Sequence, residues 1–141
     1  MDKQLANRST ALQIAFGATA TLAGVDKFFN ILVDWSEYLS PLVLNTVPVS
    51  ADVLMRMVGI IEVAVGACIL FAAPILGAYV ASAWLVAVAV NLLFAGHFDV
   101  AVRDVVLAIA ALSLARALEL RAAAPAYHEP AEAHRREVLS L

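Results

Sequence analysis

Four stretches of about 20 apolar residues constrain this chain more than any other feature of its sequence. They cover residues 10–33, 53–73, 75–95 and 100–118. A bilayer core about 30 Å thick is crossed by roughly 20 residues of α-helix. The spacing therefore predicts an all-α integral membrane protein, a bundle of four transmembrane helices, within a chain of 141 residues.

The composition agrees with this fold class. Apolar residues make up 63% of the chain and charged residues 15%, where soluble domains average about 45–50% and 25%. The net charge of −3 is small and scattered, which excludes a nucleic-acid surface. Cys68 is the only cysteine, and no predicted span contains a histidine, so we expect no disulfide, no metal site and no haem.

Two other interpretations of the apolar stretches are weaker. Lys3 and Arg8 precede the first stretch as in a signal peptide, but residues 24–27 lack a small-x-small cleavage signature. Core helices of a large soluble assembly can be equally apolar, although four in succession are unusual. We therefore expect the first stretch to remain as an uncleaved helix.

The positions of the basic residues predict the orientation. Lys and Arg are enriched in cytoplasmic segments next to transmembrane helices. This pattern predicts an inner-membrane protein with both termini in the cytoplasm: an N-terminus at 1–9, a transmembrane domain at 10–118 and a flexible polar tail at 119–141. Six of the nine basic residues flank the outermost spans, namely Lys3, Arg8, Arg116, Arg121, Arg135 and Arg136.

The first outer loop, residues 34–50, mixes aromatic, aliphatic and acidic residues around Pro41. Trp35 and Tyr38 are residue types that favour the membrane interface. The loop therefore predicts a short interfacial helix that covers the outer end of the bundle. A simple surface loop is the alternative.

The polar residues of the four predicted spans share one location. A charge in the middle of a membrane helix costs roughly 2.5–3.5 kcal/mol, so each needs a partner or a purpose. Apart from Gln13 in the inner half of the first span, the strongly polar residues lie in the outer halves of the spans, which predicts a polar pocket there. The residues predicted to bind a ligand in this pocket are Lys27, Arg56, Glu62, Asn91, Arg103 and Asp104.

Helical spacing indicates which of these side chains face inward. Lys27 continues a stripe of small residues on the first helix, and Glu62 lies between two glycines on the second. Small residues let helices approach closely, so we expect Lys27 and Glu62 to face the interior and to form a pair. Arg103 and Asp104 are adjacent, about 100° apart on a helix, so only one of them can face the pocket.

Two roles stay open for Glu62, the deepest of the charges. It can be half of a buried ion pair that fixes the helix register, or it can be a ligand or proton site. Arg56 also has an alternative role, because a long basic side chain near a helix end can reach the lipid headgroups.

Two of the helices resemble a known family. Residues 12–29 have a glycine near the middle and Gly-x-x-Lys near the outer end, and residues 58–71 contain Gly-x-x-Glu-x-x-x-Gly. In these patterns, and in its four spans, the chain resembles DoxX-like membrane proteins over residues 10–118. The resemblance implies a four-helix membrane subunit associated with oxidoreductases. The motif positions that it carries over are Gly24, Lys27, Gly59, Glu62 and Gly66.

Together these features predict a redox-associated subunit that binds a quinone or a small sulfur compound in the outer pocket. Its expected partners are membrane lipid, an oxidoreductase subunit and a second copy of the chain. The chain has no catalytic motif of its own, and the lone Cys68 argues against thiol chemistry. One alternative is a lipid-binding or scaffolding subunit. Another is a proton-coupled exporter that uses Glu62, against which the additional Lys and Arg residues argue.

Overall fold

The structure, a computed structural model, describes the backbone of residues 3–139 and the side chains of residues 7–123. Within that part the chain is helical and contains no β-strand, which confirms the predicted all-α class. A 3₁₀-helix at Trp35–Tyr38 precedes α2, and a π-helical turn at Cys68–Ala72 continues α3. The α-helices are α1 (Lys3–Asp26), α2 (Pro41–Thr46), α3 (Ala51–Ala67), α4 (Pro74–Ala95) and α5 (Phe98–Leu139).

Local sequence signals set the helix boundaries at the end of the bundle that carries residues 34–50 and 96–97, which we call the outer end after its predicted orientation. The Ser50 hydroxyl accepts a hydrogen bond from the Val53 N–H at 3.4 Å and caps the start of α3. Gly96 ends α4 in the left-handed conformation, with φ of 85°, and the next N–H, of His97, returns to the Leu92 carbonyl at 2.9 Å. This arrangement closes α4 and allows α5 to begin two residues later.

Close backbone contact through glycines pairs α1 with α3. A methyl group on Gly24 would lie 2.7 Å from the Gly59 carbonyl oxygen, and one on Gly66 would lie 2.7 Å from the Gly17 carbonyl oxygen. Real Cβ atoms do not come this close to a carbonyl oxygen, so only glycine fits at these positions. The small-residue stripes predicted for the first two spans are therefore confirmed as the contact surface between α1 and α3.

Alanines pair α4 with α5 in a similar way. Ala108, Ala111 and Ala115 on α5 are buried, and the Ser82 hydroxyl of α4 donates to the Ala108 carbonyl at 2.8 Å. These small residues let α4 and α5 approach each other closely.

The two helix pairs share one core. The buried side chains of Val65, Ile69, Ala81 and Ala111 pack together, and Phe16 of α1 packs against them. Gln13 of α1 donates to the Ile69 carbonyl at 2.8 Å, which gives the strongly polar residue in the inner half of α1 a partner.

Among the residues that the structure describes, two helices are long and apolar enough to cross a membrane, Ala51–Ala72 and Pro74–Ala95. They coincide with the predicted second and third spans. The predicted first span is wrong in its bounds, because α1 ends at Asp26 and leaves the apolar residues 28–33 outside the helix. The predicted fourth span is less apolar than α3 and α4, because Arg103, Asp104 and Arg116 all lie within it.

The first outer loop contains helix, as predicted, and the region after residue 118 is helical as well. Residues 34–50 form the 3₁₀-helix and α2, so the alternative of a simple surface loop is wrong. Ser40 caps α2 by accepting from the Val43 N–H at 3.3 Å. Beyond residue 118, where the transmembrane domain was predicted to end, α5 continues as a helix to Leu139.

Candidate functional site at the outer end

The centre of the site is an ion pair between α1 and α3. Lys27 lies directly after α1, and its Nζ is 2.6 Å from the Glu62 Oε2. Both side chains are largely buried, with exposed fractions of 5% and 15%. The stem of Lys27 passes over Gly59, where an added methyl group would lie 3.1 Å from the Lys27 Cβ. The pairing predicted from the helical stripes is confirmed, and it depends on the glycine contact.

Trp35 covers this pair from the outer side. The Lys27 Nζ lies 3.6 Å from the centroid of the Trp35 ring, which is within the range of a cation–π interaction. The indole Nε1 donates to the Asp26 Oδ2 at 2.7 Å, and the Asp26 carboxylate also accepts the backbone N–H groups of Ile31 and Leu32. Asp26 therefore holds the turn that carries Trp35 back over Lys27.

Helical periodicity predicts neither Trp35 nor Asp26 as a site residue. In the sequence, Trp35 is recognisable only as an aromatic residue of the interfacial type. A signal was present, since an acidic residue at a helix end can accept several N–H groups from the following turn. The path of that turn, however, is not given by helical periodicity.

Asn91 fastens the outer segment to α4 and does not face the ion pair. Its Nδ2 donates to the Tyr38 carbonyl at 2.7 Å, and its Oδ1 accepts from the Ser40 N–H at 3.0 Å. His97 supports the same segment, since its Nε2 lies 3.1 Å from the Glu37 carbonyl oxygen and its ring is 4.8 Å from that of Tyr38. Both the oxygen and the nitrogen of the Asn91 side-chain amide are thus used within the fold.

Arg103 and Asp104 point in different directions, as their adjacent positions on the helix predicted. The Asp104 side chain is buried, while 63% of the Arg103 side chain is exposed and its Nε reaches back to the Asp104 Oδ1 at 3.2 Å. Asp104 is therefore the residue of the two that faces the bundle interior.

A small polar pocket of about 110 Å³ opens beside the ion pair. Arg56 is exposed there, and its guanidinium makes no hydrogen bond or ion pair with any residue that the structure describes. Of the six predicted site residues, only Lys27 and Arg56 line this pocket. Glu62 does not line it but forms the ion pair with Lys27. Asn91, Arg103 and Asp104 do not line it. The pocket is lined by Lys27, Phe28, Asn30, Ser36, Asp52, Met55 and Arg56.

Comparisons with known proteins add no further residues to this site. No family model, curated protein or solved structure matches the chain. The resemblance to DoxX-like proteins therefore depends on the glycine, lysine and glutamate positions of α1 and α3 and stays a prediction. Among the described residues, no group of three His, Cys, Asp or Glu side chains is placed to hold a metal ion.

Proposed function

We propose that this chain is a four-span subunit of the inner membrane that binds the polar group of a small ligand at its outer end. The four-span arrangement is supported by the surfaces of α1 and α5. Both expose large apolar side chains, such as Leu22 on α1 and Val106 and Ile109 on α5. Soluble monomers rarely expose continuous apolar patches of this kind, whereas lipid would cover them.

The helix pairing supports the same arrangement. The Gly17–Gly66 and Gly24–Gly59 contacts run along α3, which is long and apolar enough to cross a membrane. A helix in such close contact with a membrane-spanning helix lies at the same depth. The Lys27–Glu62 pair also satisfies two of the charges that would otherwise be costly in lipid. The basic residues around the outermost spans support cytoplasmic termini.

The pocket supports the ligand part of the proposal. The observation that carries it is Arg56, a guanidinium without a protein partner among the described residues, beside the buried Lys27. Pockets for whole drug-sized ligands have volumes of about 300–1,000 Å³, so one of about 110 Å³ encloses only a small polar group. A small sulfur compound would fit within it, and a quinone would place one polar edge there with its apolar tail in the lipid.

The resemblance to DoxX-like proteins supports a redox-associated function for the chain. In that case the chain binds the ligand and a partner oxidoreductase subunit performs the chemistry. A scaffolding role is the second candidate, and one observation favours it. Lys27 with Glu62 and Arg103 with Asp104 are already paired within the chain, as they would be if their charges only held the helices together.

The test is ligand-induced stabilisation of the purified protein in mild detergent. Ubiquinone, menaquinone, thiosulfate and common phospholipids are added separately, and the melting temperature is measured. A ligand at about 100 times its Kd stabilises the folded state by about 2.7 kcal/mol. We expect at least one ligand to raise the melting temperature of the wild type and of Arg121→Gln, but not of Arg56→Gln. If no compound has an effect, the ligand proposal fails and the scaffolding role is favoured.

A further inference from the structure

The pocket at the outer end contains charges of both signs. Arg56 and Asp52 both line it, one turn apart on α3. Acidic and basic residues four positions apart on a helix commonly pair with each other, yet these two form no ion pair. Neither side chain makes a hydrogen bond with the residues that the structure describes. A guanidinium and a carboxylate are thus both available to a ligand in the same pocket.

The remaining lining residues add hydrogen-bonding groups and an apolar floor. The Asn30 side chain is exposed and likewise makes no hydrogen bond within the described part of the chain. The Ser36 hydroxyl donates to the Asp34 carboxylate at 2.6 Å, which leaves its oxygen free to accept. Met55 is buried beneath them, so a ligand is held by its polar atoms at the rim of the pocket.

The size of the pocket and its surroundings indicate what kind of molecule carries these groups. A volume of about 110 Å³ equals the space of only a few water molecules, since each occupies about 30 Å³ in the liquid. Large apolar side chains are exposed next to it, among them Phe28 on the α1 side and Val53 and Met57 on α3. A polar head with apolar chains would place the head in the pocket and the chains along these residues.

We infer that the pocket binds the zwitterionic head of an aminophospholipid. Its phosphate accepts hydrogen bonds from Arg56 and Lys27, and its primary ammonium donates to Asp52 and to the Asn30 amide oxygen. Charge-assisted hydrogen bonds of this kind are about twice as strong as neutral ones. A quaternary ammonium has no N–H group to donate, and a glycerol head has no positive charge. This inference rests on the proposed function, because it names the ligand class of the same pocket.

Short-chain phosphatidylethanolamine, phosphatidylcholine and phosphatidylglycerol, titrated into the detergent-solubilised protein, test the inference. Kd is measured for each lipid by tryptophan fluorescence, since Trp35 lies over Lys27, and is checked by the shift in melting temperature. We expect phosphatidylethanolamine to bind about tenfold more tightly than the other two, the difference that one charge-assisted hydrogen bond makes. Free phosphoethanolamine separates head recognition from the lipid chains, and we expect it to bind more weakly than the lipid.

Three variants locate the effect. Asp52→Asn should remove the preference for phosphatidylethanolamine while keeping binding of phosphatidylglycerol, and Asp52→Glu should retain the preference. Asp99→Asn is the matched control, because Asp99 also lies in the first turn of a helix but does not line the pocket. Each shift is measured against the variant's own melting temperature, so a change in folding stability does not imitate a change in binding.

The outcomes separate this inference from the proposed function. Equal affinity for the three lipids, or a preference that survives in Asp52→Asn, overturns the zwitterion inference. If only ubiquinone, menaquinone or thiosulfate binds, and Arg56→Gln abolishes that binding, the inference fails and the proposed function holds. If none of the lipids or the other compounds binds to the wild type, both fail.

Discussion

Lys27 is the residue at which packing and charge depend most directly on each other. Its ammonium is buried between the Glu62 carboxylate and the Trp35 ring. Removing one partner of a buried pair leaves an uncompensated charge, at a cost of about 3–5 kcal/mol. We expect Glu62→Gln and Lys27→Met each to lower the free energy of unfolding more than the double variant does, as measured by denaturant unfolding in detergent. Additive effects would show that the two side chains are not coupled.

A surface pair in the same chain is the control for this cycle. Arg116 and Glu119 are 3.2 Å apart, but their side chains are 68% and 39% exposed. Exposed pairs of this kind contribute about 0–1 kcal/mol. The coupling energy measured with Arg116→Gln and Glu119→Gln should therefore be several times smaller than that of Lys27 and Glu62.

At the scale of the element, the pairing of α1 with α3 depends on glycines that no larger residue can replace. A methyl group on Gly59 would lie 2.6 Å from the Gly24 carbonyl oxygen and would press against the Lys27 stem. Changing an exposed helical glycine to alanine stabilises a protein by about 1 kcal/mol. Overpacking a tight contact instead destabilises it by about 1–3 kcal/mol. We expect Gly59→Ala to lower the melting temperature and to weaken the Lys27–Glu62 coupling in the same double-mutant cycle.

Gly96→Ala provides the comparison for Gly59→Ala. Gly96 has φ of 85° and no atom near the position of an added methyl group, so this change strains only the turn between α4 and α5. It should lower the melting temperature without changing the coupling energy. A Gly59→Ala protein with unchanged stability and coupling would contradict the close contact between α1 and α3.

Asn91 holds the 3₁₀-helix and α2 to α4 through two hydrogen bonds. Asn91→Ala removes both hydrogen bonds to this segment and leaves the Ser40 N–H without its acceptor, at a cost of about 1–3 kcal/mol. We expect faster amide hydrogen exchange across residues 35–46, measured by mass spectrometry. Asn45→Ala, at an exposed position of α2, should leave exchange at the 3₁₀-helix unchanged. Equal exchange in the two variants would show that Asn91 is not the fastening residue.

At the scale of the whole molecule, the proposed four-span topology predicts on which side of the membrane each loop and terminus lies. With both termini cytoplasmic, α2 faces outward and the C-terminus inward. Single cysteines at Asn45 and Ser140, in a Cys68→Ala background, should differ in labelling by an impermeant maleimide on intact cells. Asn45 is exposed on α2, whereas Ser40 is fully buried and unsuited to labelling. Labelling at Ser140 in intact cells would overturn the orientation.

Helical periodicity predicted part of the site. The position of Glu62 between Gly59 and Gly66 predicted that Glu62 faces inward, and the angle of about 100° between Arg103 and Asp104 predicted that only one of them does. It did not predict that Asn91 serves the outer segment or that Arg56 and Asp52 share a pocket. Those arrangements depend on the course of residues 27–40, which contacts α3 and α4 at sites distant in the sequence.

The sequence by itself determined the helical class, the second and third of the four predicted spans, and the glycine surface between α1 and α3. These features follow from residue hydropathy and from the period of the α-helix, which act within a single segment. Only the tertiary structure decided that α1 ends at Asp26, that Trp35 lies over Lys27 and that the outer pocket is small and polar. The physical reason is that a turn can be held by a few hydrogen bonds from one carboxylate, here that of Asp26, and the partners of such bonds are chosen in space.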